Sequence, residues 1–328
     1  MEETLNKKQA VKVNKQLIGD IAPYAGLVLV VIVFGFLTNW KLLSVDSLQS
    51  MSSSVMTTAI CTIGAVFIFS AGYFDMSLGG SLCMSAVLGS MVTVSTGSLL
   101  LGGLVILGVS VAIAIIKSIL ATHVNVPFFI FTIILGSIFS ALTLAMMGKD
   151  TTIYLKNAAQ PIKEYSFTEI SIISVIVLAI FFIICVFLFN YTPLGLEAKN
   201  MGGNIFAAKQ SGISTKKVTY LVFIIGAVGV AIAAFLIMIR TRTVTSSTGG
   251  ALGNNVMVAL VLGGMPLSGG PKSKISAGLV GAVTITVLNT GLTMMGLDTG
   301  QIQIIRGIIF IVVVLVSSLS YRGRLLPR

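Results

Sequence analysis

Charge is scarce in this chain of 328 residues: only 9% of its side chains are Asp, Glu, Lys or Arg, where soluble domains carry about a quarter. Acids are the rarer sign, ten against 21 Lys and Arg, and there is one histidine, His123. A single histidine leaves no His/Cys/acid cluster with metal-ligand spacing. His123 also lies in a short loop beside Asn125 rather than on a helix facing the serine of GGSL (79–82), which argues against an intramembrane serine hydrolase. The three cysteines, Cys61, Cys83 and Cys185, fall in apolar blocks without C-x-x-C spacing, so they read as small core hydrophobes and not as a disulfide scaffold. No G-x-x-x-x-G-K-[ST] run is present to cradle a nucleotide, so an energy source must come from another chain or a gradient. The net charge of +11 would suggest nucleic acid in a soluble protein. Here it comes without a basic, aromatic-interleaved run or a base-reading motif, and it fits cytoplasmic loops facing anionic lipid instead.

What fills the chain is apolar: 55% of residues, with a mean hydropathy of +1.03, arranged in long blocks. A bilayer needs about 20 apolar residues per helical crossing. Crossings are predicted near 21–39, 51–71, 78–96, 99–120, 127–147, 170–190, 218–239, 251–265, 275–296 and 301–320, the 251–265 segment being short. Unpaired backbone is too costly in lipid for anything but helices or a closed barrel, and no ten-residue alternating strands occur. The expected fold is therefore an all-α polytopic membrane protein of about ten transmembrane helices, some of them broken or re-entrant. Residues 1–20 and 321–328 form short cytoplasmic tails and 21–320 a single transmembrane domain. The first block is too long for a signal-peptide core and lacks a small-residue cleavage site, so it reads as a retained anchor.

With the N-terminus inside, inner segments hold 14 Lys and Arg, Lys117 among them, and outer loops hold six. The excess places both termini in the cytoplasm. Within the spans only Asp75 and Arg306 read as embedded charges, too few for a proton relay, voltage sensor or ion pump, and suited to a neutral polar solute. The ten spans also divide five plus five around the outer loop 148–169, and an odd number of crossings inverts the second half. That pattern keeps a gradient-driven transporter in play.

Four segments interrupt the apolar blocks. In AGYFDMSLGG (71–80), Gly72, Gly79 and Gly80 break a helix and Asp75 with Ser77 can cap the next, either as a tight turn or as part of a translocation path. In the inner loop 191–217, Thr192, Pro193 and Gly195 mark a helix end and Gly202–Gly203 a turn. Asn204 caps a short helix, IFAAKQS, closed by Gly212. Two turns are stable only when packed on something, and Ala207, Ala208 and Ser211 offer a low-relief face for a groove, or else for a lipid surface. LVLGGMPLSGG (260–270) uses its double glycines for close approach or an irregular turn. LNTGLTMMG (288–296) puts Asn289 mid-span, as helix glue or facing a cavity.

Taken in order, these segments resemble the membrane-spanning permease subunits of ABC importers of the ribose/xylose/galactose type. FDMSLGG (74–80) is similar to that family's I-D-L-S-V-G-S, NVPFFIFT (125–132) to V-P-x-F-I-x-T, and LVLGGMPLSGG to V-L-G-G-x-S-L-S-G-G. TPLGLEAKNMGGNIFAAKQSGI (192–213) resembles its cytoplasmic loop, and LNTGLTMMG its L-N-N-G-L-x-x-x-G. The chain departs from the pattern at Leu196 (an Arg in the family), at Gly253, Asn254 and Asn255 (E-L-D), at Gly300 and Gln301 (F-W), and at Lys117 and Ser118 (Asn-Gly).

The resemblance implies a multi-pass subunit of a prokaryotic plasma membrane, without catalytic residues or metal. It would pair with a second copy or a related permease, receive a sugar from an extracytoplasmic binding protein, and be driven by an ABC ATPase with two nucleotide domains that holds the ATP and Mg. Gly202, Gly203, Asn204, Ala207, Ala208, Ser211, Gly212 and Ile213 would then form the coupling segment that docks in the ATPase. Phe74, Asp75, Ser77, Asn254, Asn255, Asn289, Gln301 and Gln303 are the candidate path residues. A nucleoside or furanone-type cargo is the alternative within the same class.

Overall fold

The computed structural model describes residues 21–124 and 127–322, with side chains as far as Leu315. The tail 1–20, the end of the second tail, and Asn125–Val126 of the NVPFFIFT segment lie outside the described residues. Among the described residues, ten apolar helices fall where the ten crossings are expected. Seven are long enough to cross a bilayer: α2 (Val45–Ser70), α3 (Leu78–Thr96), α4 (Leu99–His123), α5 (Phe128–Met147), α6 (Phe167–Tyr191), α9 (Thr215–Thr241) and α11 (Ser276–Met294). Three are shorter: α1 (Ile21–Leu37), α10 (Leu252–Leu262) and the described part of α12, which runs Thr299–Arg322. Two further helices, α7 (Pro193–Gly203) and α8 (Ile205–Gln210), make up most of the inner loop.

Helices α2 and α9 form the centre. From Ala59 to Ser70 every residue of α2 is buried. The two helices approach closely because they meet through glycines: a Cβ built on Gly64 would lie 3.3 Å from the Cα of Gly226, and one on Gly229 would lie 3.0 Å from the Ile60 carbonyl. The hydroxyls of this core are satisfied within their own helix, as Thr57 Oγ1 donates to the Ser53 carbonyl at 3.1 Å and Thr62 Oγ1 to that of Thr58 at 2.6 Å. On the outside, α5 and α6 show their branched residues to the surroundings (Ile133, Ile134 and Ile138; Ile172, Ile176, Ile180 and Ile183), a face suited to hydrocarbon.

The helix packing is preserved when α2–α5 are exchanged with α9–α12. Helix α4 packs on α9 as α11 packs on α2, α3 on α4 as α10 on α11, and α3 on α9 as α10 on α2. With α3, α4, α5 and α6 each reversing the chain, α9 runs opposite to α2, and the matched sets cover four of the five pairs that the expected five-plus-five division calls for. A two-stranded antiparallel pairing, Thr152–Tyr154 with Thr243–Thr245 in the register Ile153↔Val244, joins the loop between the halves to the loop that precedes α10. Strands of three residues carry too little alternation to be legible beforehand.

Two local expectations are corrected here. Gly202–Gly203 does not open a turn, because α7 runs through both. Lys117 is not a loop charge, because α4 continues to His123 and carries Lys117 inside the protein, 3% exposed. With Lys117 removed, thirteen basic residues remain in the inner segments against six outside, so the asymmetry stands.

Candidate functional site

The break ahead of α3 is where the expected motifs converge. Gly72 (φ +86°) lets the chain leave α2, and its neighbours are the backbone of Gly202 in α7 and of Ser268. Gly269 and Gly270 (φ +66° and +90°) bring the LSGG loop onto the same spot, where the Gly270 amide donates to the Ser70 carbonyl at 2.9 Å. A Cβ on Gly202 would overlap that carbonyl, so Gly202 is required for close approach. Three glycine motifs far apart in sequence thus form one backbone-on-backbone junction between the inner loop and the ends of two membrane-spanning segments.

The rest of the break is held by polar bonds and rings. Met76 N donates to Thr132 Oγ1 on α5 at 3.1 Å, and Tyr73 shares a hydroxyl bond of 3.0 Å with Thr219 on α9. The Tyr73 and Phe128 rings meet edge to face at 5.3 Å, and Phe69 and Phe74 at 4.9 Å. Asp75 sits at the centre. Its Oδ1 accepts from the Ser77 amide (2.9 Å) and hydroxyl (2.6 Å), and its Oδ2 pairs with Lys117 Nζ at 2.9 Å; Lys117 also donates to Ser81 Oγ at 2.8 Å. A cavity of about 10 Å³, room for one water, adjoins the pair between α3, α4 and α9.

This arrangement corrects the reading of Asp75 and Ser77 as helix caps. The Ser77 side chain makes no capping bond, because Asp75 folds it back into the loop. Both residues are fully buried, and the carboxylate is committed to Lys117 and Ser77, with only the one-water cavity beside it. Lys117 is the functional-region residue that sequence reasoning missed. Its apolar flanks made it look like the edge of a loop. A polar stripe of Ser81 and Ser85 on α3, one turn apart, with Ser110 and Lys117 two turns apart on α4, was the available signal.

A second convergence lies at the start of α10. Gly79 and Gly253 face each other: a Cβ on Gly79 would lie 2.7 Å from the Gly249 carbonyl, and one on Gly253 would lie 2.8 Å from that of Met76. The helices that follow the two breaks, α3 and the shorter α10, therefore meet N-terminus to N-terminus. Two residues on, Asn255 Oδ1 accepts from Arg306 Nη1 of α12, while Asn254 and Gln303 are exposed. Gln301 has a different role. It exchanges two bonds with Asp298, accepting from the Asp298 amide (3.0 Å) and donating its own amide to the Asp298 carboxylate (2.9 Å), a reciprocal cap that starts α12. Asn289 stands apart on α11, its Oδ1 buried and without a hydrogen-bond partner among the described residues.

On the inner side, Asn204 caps α8 as expected, its Oδ1 accepting from the amides of Phe206 (2.9 Å) and Ala207 (3.1 Å), and Gly212 (φ +81°) closes the turn. The low-relief face is divided: Ala208 packs inward against the body, while Ala207 and Ser211 are exposed with Phe206, which is 74% exposed. Beneath α7, Lys199 lies over the Phe189 ring at 4.2 Å, and partial burial holds its ammonium below the usual lysine range.

Residues 47–314 match the family model described as branched-chain amino acid transport system / permease component. Among curated proteins the chain is similar to the ribose import permease protein of Bacillus subtilis (strain 168), 27% identical over 90% of this chain and 92% of that one. It is similar also to the galactofuranose transporter permease protein of Escherichia coli (strain K12), 25% identical over 79% and 76%. The xylose transport system permease protein of Haemophilus influenzae is 33% identical over a shorter stretch, 44% of this chain and 38% of that one. No solved structure matches the chain significantly.

Proposed function

Since the chain belongs to the family of branched-chain amino acid transport system permease components, and is thus a membrane-spanning transport subunit, we propose that it forms the translocation path of an ATP-driven importer for a small hydroxylated solute of the sugar class. The observation that supports this best is the glycine junction. It joins an exposed inner helix pair, α7–α8, directly to the break that precedes α3, so a push on the loop is delivered to the membrane-spanning segments without an intervening flexible linker.

In this reading ATP and Mg belong to a partner ATPase with two nucleotide domains, which α8 enters through Phe206, Ala207 and Ser211. An extracytoplasmic binding protein delivers the cargo, and a second copy or a related permease completes the path. The location is a prokaryotic plasma membrane with both termini inside. The interlocked halves would also suit a gradient-driven transporter, which needs an embedded acid free to exchange protons or ions. Among the described residues, Asp75 is the one acid well inside the helical body, and it is held by Lys117 and Ser77.

Gentle affinity purification from the native membrane tests this reading. The expected result is co-recovery of an ATPase with two nucleotide domains, and loss of uptake in Gly212→Arg, which blocks the exposed end of α8. Uptake by this chain alone in ATP-free liposomes would overturn it.

A further inference from the structure

Two cations lie more than a helical turn inside an apolar helix, and their surroundings differ. Lys117 is matched by a carboxylate at 2.9 Å and closed off from all sides. Arg306 has no carboxylate partner among the described residues: Nη1 donates to the neutral carbonyl of Asn255 and Nε to the Ile302 carbonyl at 3.4 Å. It is also only partly buried, beside the exposed Asn254 of α10 and one turn from the exposed Gln303 of its own helix. A standing positive charge and two amides are poor surroundings for hydrocarbon, and among the described residues no carboxylate neutralises the charge. Asn255 is two residues beyond Gly253, about 3 Å further along α10, so this polar patch lies near the depth at which the starts of α3 and α10 meet.

We infer that Arg306, held in place by Asn255, is a specificity-determining contact of the path whose guanidinium grips two neighbouring hydroxyl oxygens of the passing cargo. The chemistry suits a vicinal diol. A guanidinium is planar and rigid and presents parallel N–H groups that meet two adjacent oxygens at once, which the compact ammonium of lysine does not. The Ile302 carbonyl takes Nε and Asn255 takes one hydrogen of Nη1, which leaves the second Nη1 hydrogen and those of Nη2 for the cargo. Gln303 and Asn254 supply further neutral donors and acceptors on the same patch, whereas Gln301 is committed to Asp298. This inference rests on the importer reading above.

The test uses the whole importer, this chain with its ATPase and binding protein, in proteoliposomes. D-ribose, D-xylose and D-galactose are the probes, each compared with an analogue lacking one hydroxyl of a neighbouring pair. For whichever sugar is carried, the wild-type protein is expected to favour it over its deoxy analogue roughly tenfold or more in kcat/KM. In Arg306→Gln, KM for the sugar rises to that of the analogue, uptake of the analogue is unchanged, and ATPase activity and complex assembly are retained. Because the same binding protein serves both, a change in discrimination belongs to this chain. Arg306→Lys keeps charge and packing volume but not the fork, so it loses discrimination as well, and it answers the question even if the glutamine variant fails to accumulate. Equal loss of both solutes in the two variants would make Arg306 a structural tie and overturn the inference, as would unchanged discrimination. Wild-type importer that hydrolyses ATP but carries none of the sugars overturns the sugar reading itself, and this inference with it.

Discussion

Lys117 and Asp75 are each other's counter-ion in a place with almost no other source of compensation. Removing one member of a buried pair leaves a bare charge, and the cost of that is about 3–5 kcal/mol, whereas removing both leaves only neutral groups. Lys117→Met is therefore expected to accumulate poorly and to melt well below the parent in detergent. The double variant Asp75→Asn/Lys117→Met should recover most of that loss, as read by thermal-shift gel filtration. Additive effects of the two substitutions would refute the pairing. At this scale the sequence was partly legible. Asp75 stood out as an embedded acid because nothing else near it is charged, but its partner is 42 positions away. A lone lysine at the inner end of an apolar block looks the same whether it faces lipid headgroups or a buried carboxylate. Asn204 was the reverse case: a cap acts within three residues, so the sequence contains the whole interaction.

Among the helices, the difference between a glycine that bends the chain and one that admits a neighbour decides which substitutions are tolerated. Gly79 and Gly253 lie where a methyl group would press on an opposing backbone, with the amides and carbonyls of the other half immediately behind. Alanine at either position should cost about 1–3 kcal/mol by overpacking. Gly108, with nothing within 4 Å of its Cβ position, should accept alanine without loss. Measuring folded yield for the three variants side by side checks the claim, and a tolerant Gly253 would contradict the contact between the starts of α3 and α10. Asn204→Ala removes the acceptor for two α8 amides and should destabilise that helix by about 1 kcal/mol. If the importer reading holds, the expected readout is weaker retention of the proposed ATPase with the membrane domain unaffected. Helix α7 was not foreseen, because Pro193, Gly195, Gly202 and Gly203 all read as breakers. Proline at the first helical position lacks only an amide that would be unpaired anyway, and Gly202 is there for contact with Ser70.

Across the whole molecule, hydropathy located all ten apolar helices, since crossing length and composition are set by the bilayer and not by tertiary detail. Which of them touch was not legible from one sequence, since small residues mark close contact without naming the partner. The basic asymmetry predicts one orientation, expected to appear as cytoplasmic reporter activity at both termini and external labelling of a cysteine placed at Asn157. A cytoplasmic Asn157 would invert the scheme.

The exchange of partners between the halves has a consequence for how the protein is made. Helix α2 is completed by α9 and α11, and α4 by α9, all of which leave the ribosome more than a hundred residues later. Until then the serines and threonines of α2, Ser53, Thr57, Thr58 and Thr62, are inserted without the helices that later enclose them. The Lys117–Asp75 pair, by contrast, is contained entirely in the first five helices. The early half can therefore neutralise its charge before it can bury its hydroxyls, so it must wait in the bilayer as an unfinished surface whose natural cover is the second half of the same nascent chain.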